Sequence, residues 1–218
     1  MERQFDHLLK EVKNLLLDMG SKLEVAIDKA MRSLTTQNVP LAELVISEDS
    51  RIDQLENQID DVVAKLIATQ QPVAKDLRML IAVMKISADM ERMADLASNI
   101  AKVTTELAGK NQDFIQKLTA LPEMAKTTQM MVHDSINSYI AGNTELAKKV
   151  ARTDDLVDRQ YVTIVQELTE FLPQSNENAE SALKLCFVAR YLERIADHAT
   201  NIVECVFYIE TGKKADLN

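Results

Sequence analysis

The sequence predicts an all-α protein, with six long helices forming two tandem three-helix bundles. Three observations carry that reading. Apolar residues recur at threes and fours over stretches longer than an ordinary globular helix. Breakers are scarce and well separated, four Gly and four Pro in 218 residues, and all but Gly20 fall between the periodic stretches. Aromatics make up 4% of the chain although 46% is hydrophobic, a balance that argues against turn-rich sandwiches and barrels and against disordered tails poor in aliphatics. A chain of this size can bury about 70% of its extended surface, so the core needs neither metal nor disulfide.

The first helix is expected from about Arg3 to Thr36, with Leu8, Val12, Leu15, Met19, Leu23, Ala26, Ala30 and Leu34 on its apolar face. Gly20 interrupts it at a cost of roughly 1 kcal/mol. Asn38 and Pro40 read as an N-cap and first turn. They open a second helix carrying Leu44, Ile52, Leu55, Ile59, Val62 and Leu66, uninterrupted until Gln71-Pro72. Pro72 is expected to open the third, which reaches about Leu107 and ends at Gly109. After a link around Leu121-Pro122, a fourth helix holds Met124, Met131, Ile136 and Ile140 and stops at Gly142-Asn143. The fifth spans about Thr144 to Leu172. The sixth starts near Ser175 or Asn176 and ends at Gly212, a C-cap. This divides the chain into repeats over 1–110 and 111–218.

Thirty-four acids against 25 bases leave a net charge of −9. The bases form no clean stripe, which argues against nucleic-acid backbone binding as the main task. Cys186 and Cys205 fit no CxxC pair and read as reduced core thiols. The segment MERQFDHLLKEV lacks the apolar core of a secretory signal. No uncharged apolar run reaches bilayer length. The expected location is the cytoplasm.

The two halves repeat. ADMERMADLASNI at 88–100 matches RYLERIADHATNI at 190–202, and Asp49, Asp53 and Ile59 match Asp154, Asp158 and Ile164 one helix earlier. Matching elements in the same order indicate an internal duplication. Each half holds two acidic pairs spaced by four, Asp49/Asp53 with Glu91/Asp95 and Asp154/Asp158 with Glu193/Asp197. Residues four apart share a helix face. On a helical wheel Glu91 and Asp95 fall within the apolar arc of Leu77, Leu80 and Met84, while Glu193 and Asp197 straddle Cys186.

An ionised carboxylate on a core-facing arc needs compensation. Arginines are one source, with Arg78, Arg92, Arg152, Arg159, Arg190 and Arg194 as candidates. A cation held between helices by four carboxylates is the other. Oxygen donors suit Mg²⁺, Ca²⁺ or Mn²⁺ and allow carboxylate-bridged iron. The Glu-x-x-His motif of di-iron bundles is absent. No nucleophile stands with a paired base, and no phosphate-binding glycine loop occurs. Methionines such as Met79, Met84, Met90, Met93, Met130 and Met131 read as core fillers.

The doubled E-R-x-x-D followed by N-I, with Gln71-Pro72 through Arg78 and Asp154-Asp155-x-x-Asp158, resembles the PhoU family of bacterial phosphate-uptake regulators across nearly the whole chain. Ala94 and Ala196 stand where that family often has glycine. The resemblance implies two similar three-helix bundles with metal-binding acids at Asp49, Asp53, Glu91, Asp95, Asp154, Asp158, Glu193 and Asp197. The ion could be Fe, Mn, Mg, Ca or Zn. It further implies a negative regulator of phosphate uptake and starvation signalling, not an enzyme. The implied partners are the phosphate ABC transporter ATPase, the sensor histidine kinase and a second copy of the chain, with membrane contact only through partners. The competing expectations are a metal-free helical adaptor and, behind it, a metal-dependent enzyme.

Overall fold

The same side chain starts a helix in each half. Asn38 accepts from the Leu41 amide at 3.0 Å, and Asn143 accepts from Leu146 at 3.0 Å and Glu145 at 3.1 Å. Each satisfies amides that the first helical turn leaves unpaired. Each follows a residue with left-handed backbone, Gln37 at φ 50° and Gly142 at φ 61°.

The computed structural model describes residues 4–110, 119–170 and 176–213. Within them run α1 (Gln4–Thr36), α2 (Val39–Glu48), α3 (Ser50–Gln70), α4 (Lys75–Glu106), α5 (Ala120–Ala141), α6 (Thr144–Thr169) and α7 (Asn176–Thr211). α1, α2–α3 and α4 form one bundle; α5, α6 and α7 form the other. Their cores are in register. Leu16, Met19, Ile27 and Leu34 of α1 recur as Leu121, Met124, Val132 and Tyr139 of α5, all buried. Met93 and Ile100 of α4 recur as Ile195 and Ile202 of α7.

The bundles join mainly through α4 and α7, which run antiparallel. Lys75 pairs with Glu210 at 2.9 Å, Asp89 meets His198 at 2.9 Å, and Lys184 pairs with Glu106 at 3.1 Å. α1 also packs on α5. There a Cβ on Gly20 would lie 2.9 Å from Ile136 Cδ1, so close helix approach explains a glycine that propensity alone disfavours.

Four details differ from the sequence expectations. The second helix is interrupted at Asp49, where the Ile52 amide reaches the Asp49 carbonyl at 2.8 Å, a tighter three-residue closure. Pro72 does not open the third helix; α4 starts at Lys75, after Ala74 at φ 48°. Leu121-Pro122 lies inside the first turn of α5, where proline forfeits no needed donor. Finally, Leu16, Ile27 and Val63 are fully buried while Leu15, Ala26 and Val62 are half-buried. Adjacent apolar residues let the true core stripe sit one position away. The expected end of the fifth helix at Leu172 and start of the sixth at Ser175 lie outside the described residues. No helix among the described residues is long and apolar enough to cross a membrane.

Candidate functional site: two four-carboxylate clusters

Antiparallel packing of α3 on α4, and of α6 on α7, brings the acidic pairs together. In the first repeat Asp49 sits at the α2–α3 break and Asp53 in the first turn of α3. Burial raises the Asp49 carboxyl above its ordinary range, Asp95 and Asp53 add to this, and the Ser98 hydroxyl and Lys102 oppose it. Glu91 is raised by burial, then by Asp95, Glu56 and Asp53, with Arg92 opposing. These mutual influences link all four expected side chains.

The second repeat repeats the set at greater depth. Asp154 is 7% exposed and Glu193 9%. Burial, with Asp197, Asp158 and Asp155, pushes Asp154 up to about 6 against the Thr200 hydroxyl. Burial and Asp197 push Glu193 up to about 7; Arg190 opposes this, and Asp158 and Asp154 add to it. Asp197 is raised by burial and Asp158, with Arg190, His198 and Arg194 opposing.

Asp95 is exposed, so the expectation that both Glu91 and Asp95 of α4 face the core is corrected; Asp158 of α6 is exposed as well. The helical wheel places Asp95 correctly toward α3, but that side of the seam is open. Of the candidate arginines, Arg190 forms the ion pair with Glu193 and sits 5.9 Å from the Tyr161 ring centroid. Arg92 stands 3.9 Å from Asp89. Met84 and Met130 are exposed, unlike buried Met90, Met93 and Met131. Cys186 and Cys205 are free thiols, the first half-buried and the second buried.

Sequence reasoning missed three groups. Ser98 and Thr200 occupy the same place in the repeated A-S/T-N-I segment, and their hydroxyls favour the ionised forms of Asp49 and Asp154. The recurrence of a small hydroxyl three residues after each Asp was the available signal. Glu56 joins the first set from the next turn of α3. Asp89, 6% exposed, accepts from His198 at 2.9 Å and Asn201 at 3.3 Å across the bundle interface. No repeat signal marked it, because Tyr191 stands at the matching position.

Whether the sets suit a cation can be judged from their oxygens. Asp154 Oδ1 and Glu193 Oε2 are buried with no hydrogen-bond partner. A buried anionic oxygen without a partner calls for a proton or a cation. In the first repeat the oxygen so placed belongs to Asp60, farther along α3. Among the described residues no three His, Cys, Asp or Glu side chains are yet arranged to hold an ion. The two unpartnered oxygens of the second set are of the donor class that suits a cation.

The PhoU domain profile matches residues 16–104 and again 121–206. This chain belongs to the PhoU family. The "Phosphate-specific transport system accessory protein PhoU homolog" of Clostridium acetobutylicum is 37% identical over 98% of this chain and 97% of its own length. The Aquifex aeolicus protein of the same name is 41% identical over 94% and 92%. The crystal structure of PhoU from Pseudomonas aeruginosa has a TM-score of 0.88 at 32% identity, covering 96% of this chain and all of its own. The phosphate transport system regulatory protein PhoU from Streptococcus pneumoniae has the same TM-score at 29% identity, over 98% and 100%. Among the described residues the fold is built from helices, with no strand.

Proposed function

We propose that this chain is an accessory protein of phosphate-specific transport. In this reading it is a cytoplasmic, non-enzymatic negative regulator that couples the phosphate ABC transporter ATPase to the sensor histidine kinase. The observation that carries the reading is full-length membership of the PhoU family combined with the doubled acid set on long packed helices. Long rigid bundles offer docking faces, and a second copy of the chain is a further partner.

Within the same proposal, Asp154, Asp158, Glu193 and Asp197 hold a cation that neutralises the buried oxygens and ties α6 to α7. Asp49, Asp53, Glu91 and Asp95 form the more exposed counterpart. A metal in either set supplies charge and helix geometry, with no step of chemistry assigned to it. The ion belongs to the oxygen-binding class, Fe, Mn, Mg, Ca or Zn.

The test is a binding assay with purified full-length protein, the transporter ATPase and the kinase cytoplasmic region, in phosphate and with elemental analysis of each preparation. Both partners should be retained. Asp154→Ala/Glu193→Ala should lose more metal than Glu91→Ala/Asp95→Ala. Failure to bind either partner retires the regulatory reading, and equal metal content in all variants retires the cation sites.

A further inference from the structure

Beside the interruption between α2 and α3 lies a cleft of about 330 Å³. Val25, Ala26, Val45, Ile52 and Ala94 make its floor, and Asp49 stands in its wall. Side chains of the first repeat shape this cleft. The matching positions of the second repeat hold Met130, Met131, Val150, Val157 and Ala196. Met131 is 1% exposed where Ala26 is half-buried, so a thioether chain takes the volume that alanine leaves open. Uninterrupted α6 also runs straight through Asp154.

The charges at the mouth are divided unevenly. Asp18 takes Lys22 at 2.5 Å, and Glu48 takes Lys29 at 2.7 Å and Arg51 at 3.2 Å. Among the described residues Asp49 has no such ion pair; Asp95 and Asp53 disfavour its charge, while the Ser98 hydroxyl and Lys102 favour it. A concave apolar floor beside one under-compensated carboxylate selects a particular chemistry. An anion would meet the Asp49 carboxylate, because Lys22, Lys29 and Arg51 in the walls are already held by Asp18 and Glu48. A bare metal ion would find no donors on the floor. An ammonium on an alkyl chain satisfies both surfaces.

We propose that this cleft binds an aliphatic ammonium, with its alkyl chain over Val25, Ala26, Val45 and Ile52 and its –NH₃⁺ on the Asp49 carboxylate. Each buried methylene should raise affinity about fourfold. The proposal stands independently of the regulatory reading, because it uses a floor that neither metal nor protein docking requires. Sharing Asp49 makes the amine and a first-repeat cation competitors.

Methyl NMR titration of the full-length, chelator-treated protein with n-hexylammonium, hexanol and hexanoate tests it. Hexylammonium should shift the Val25, Val45 and Ile52 methyls and bind about tenfold more tightly than hexanol. Hexanoate should not bind. Ala26→Met, which copies the second repeat, should abolish the shifts. Asp49→Asn should reduce hexylammonium to the hexanol level without changing helicity, and Asp154→Asn should leave it unchanged. Nα-acetyl-lysine methylamide distinguishes the sources: parity with hexylammonium assigns the site to a protein's lysine side chain, and weaker binding assigns it to a free amine. Hexylammonium binding no better than hexanol, or equally well to Asp49→Asn, overturns the proposal.

Discussion

The two repeats place the same acids at the same helical positions but at different depths. Asp154 and Glu193 are buried, whereas Asp49 and Glu91 are half-buried. The difference begins in the backbone. α6 continues through Asp154, while the helix is interrupted at Asp49, with a cleft beside it. Arg190 and Tyr161 then cover the second set, and no equivalent pair covers the first among the described residues. Duplication thus conserves which donors are present, and local packing decides how strongly each needs a proton or a cation.

Depth has its largest consequence in the pH dependence of the metal-free protein. Asp154 and Glu193 are pushed up to about 6 and about 7 from ordinary values of 3.8 and 4.5. Below about pH 3, under both ordinary values, folded and unfolded chains both hold these protons. As pH rises, the unfolded chain releases them first, so the folded state loses relative stability until both are ionised above about pH 7. Either carboxyl alone contributes about 3 kcal/mol, and the coupled pair less than twice that. Urea unfolding in chelator at about pH 5 and about pH 8 should show this fall. Asp154→Asn/Glu193→Gln should flatten it, while Asp49→Asn/Glu91→Gln should leave most of it. A slope of opposite sign, or one carried by the first repeat, breaks the comparison.

A second contrast lies at the bundle interface. Asp89 gathers His198 and Asn201 from α7, while Tyr191, at the matching place, stacks on Phe187 with ring centroids 6.5 Å apart. Asp89→Ala leaves two enclosed donors without their acceptor and should cost about 2 kcal/mol. Tyr191→Ala removes a half-buried ring contact and should cost about 1 kcal/mol. Thermal unfolding of the two variants measures the order, and a larger loss from Tyr191→Ala would show that the polar contact does not govern this interface.

Fold class and the repeated acid set were legible because both rest on periodicity. Apolar spacing reveals a helix, and the recurring E-R-x-x-D reveals the repeat. Depth was not legible. Glu91 and Glu193 have nearly the same local sequence, yet Tyr161, outside the motif comparison, and Arg190, where the first repeat has Ala88, make one deeper. The break at Asp49 was equally hidden, since no Gly or Pro marks it and its backbone remains helical at φ −52° and ψ −48°. Asp89 escaped because its partners are more than 100 residues away. Core stripes slipped by one residue wherever two apolar residues adjoin, as at Leu15-Leu16 and Val62-Val63. Periodicity fixes the face of a helix and leaves its neighbours unspecified.

The smallest predicted effect concerns the turn that both repeats share. Gly142 adopts φ 61° at almost no steric cost, whereas Gln37 holds φ 50° in the first repeat. A side chain in the left-handed region costs about 1 kcal/mol. Gln37 offsets that cost by donating from Nε2 to the Lys110 carbonyl at 2.7 Å, beyond the end of α4, a bond worth about 1 kcal/mol. Gln37→Gly should therefore change stability by less than about 0.5 kcal/mol, because relieved strain and a lost bond nearly cancel. Gly142→Gln gains no such bond and should cost about 1 kcal/mol. Denaturant midpoints of the two variants decide the matter. A clearly stabilising Gln37→Gly would mean that the bond contributes little, and a clearly destabilising one that it helps anchor the end of α4 to α1.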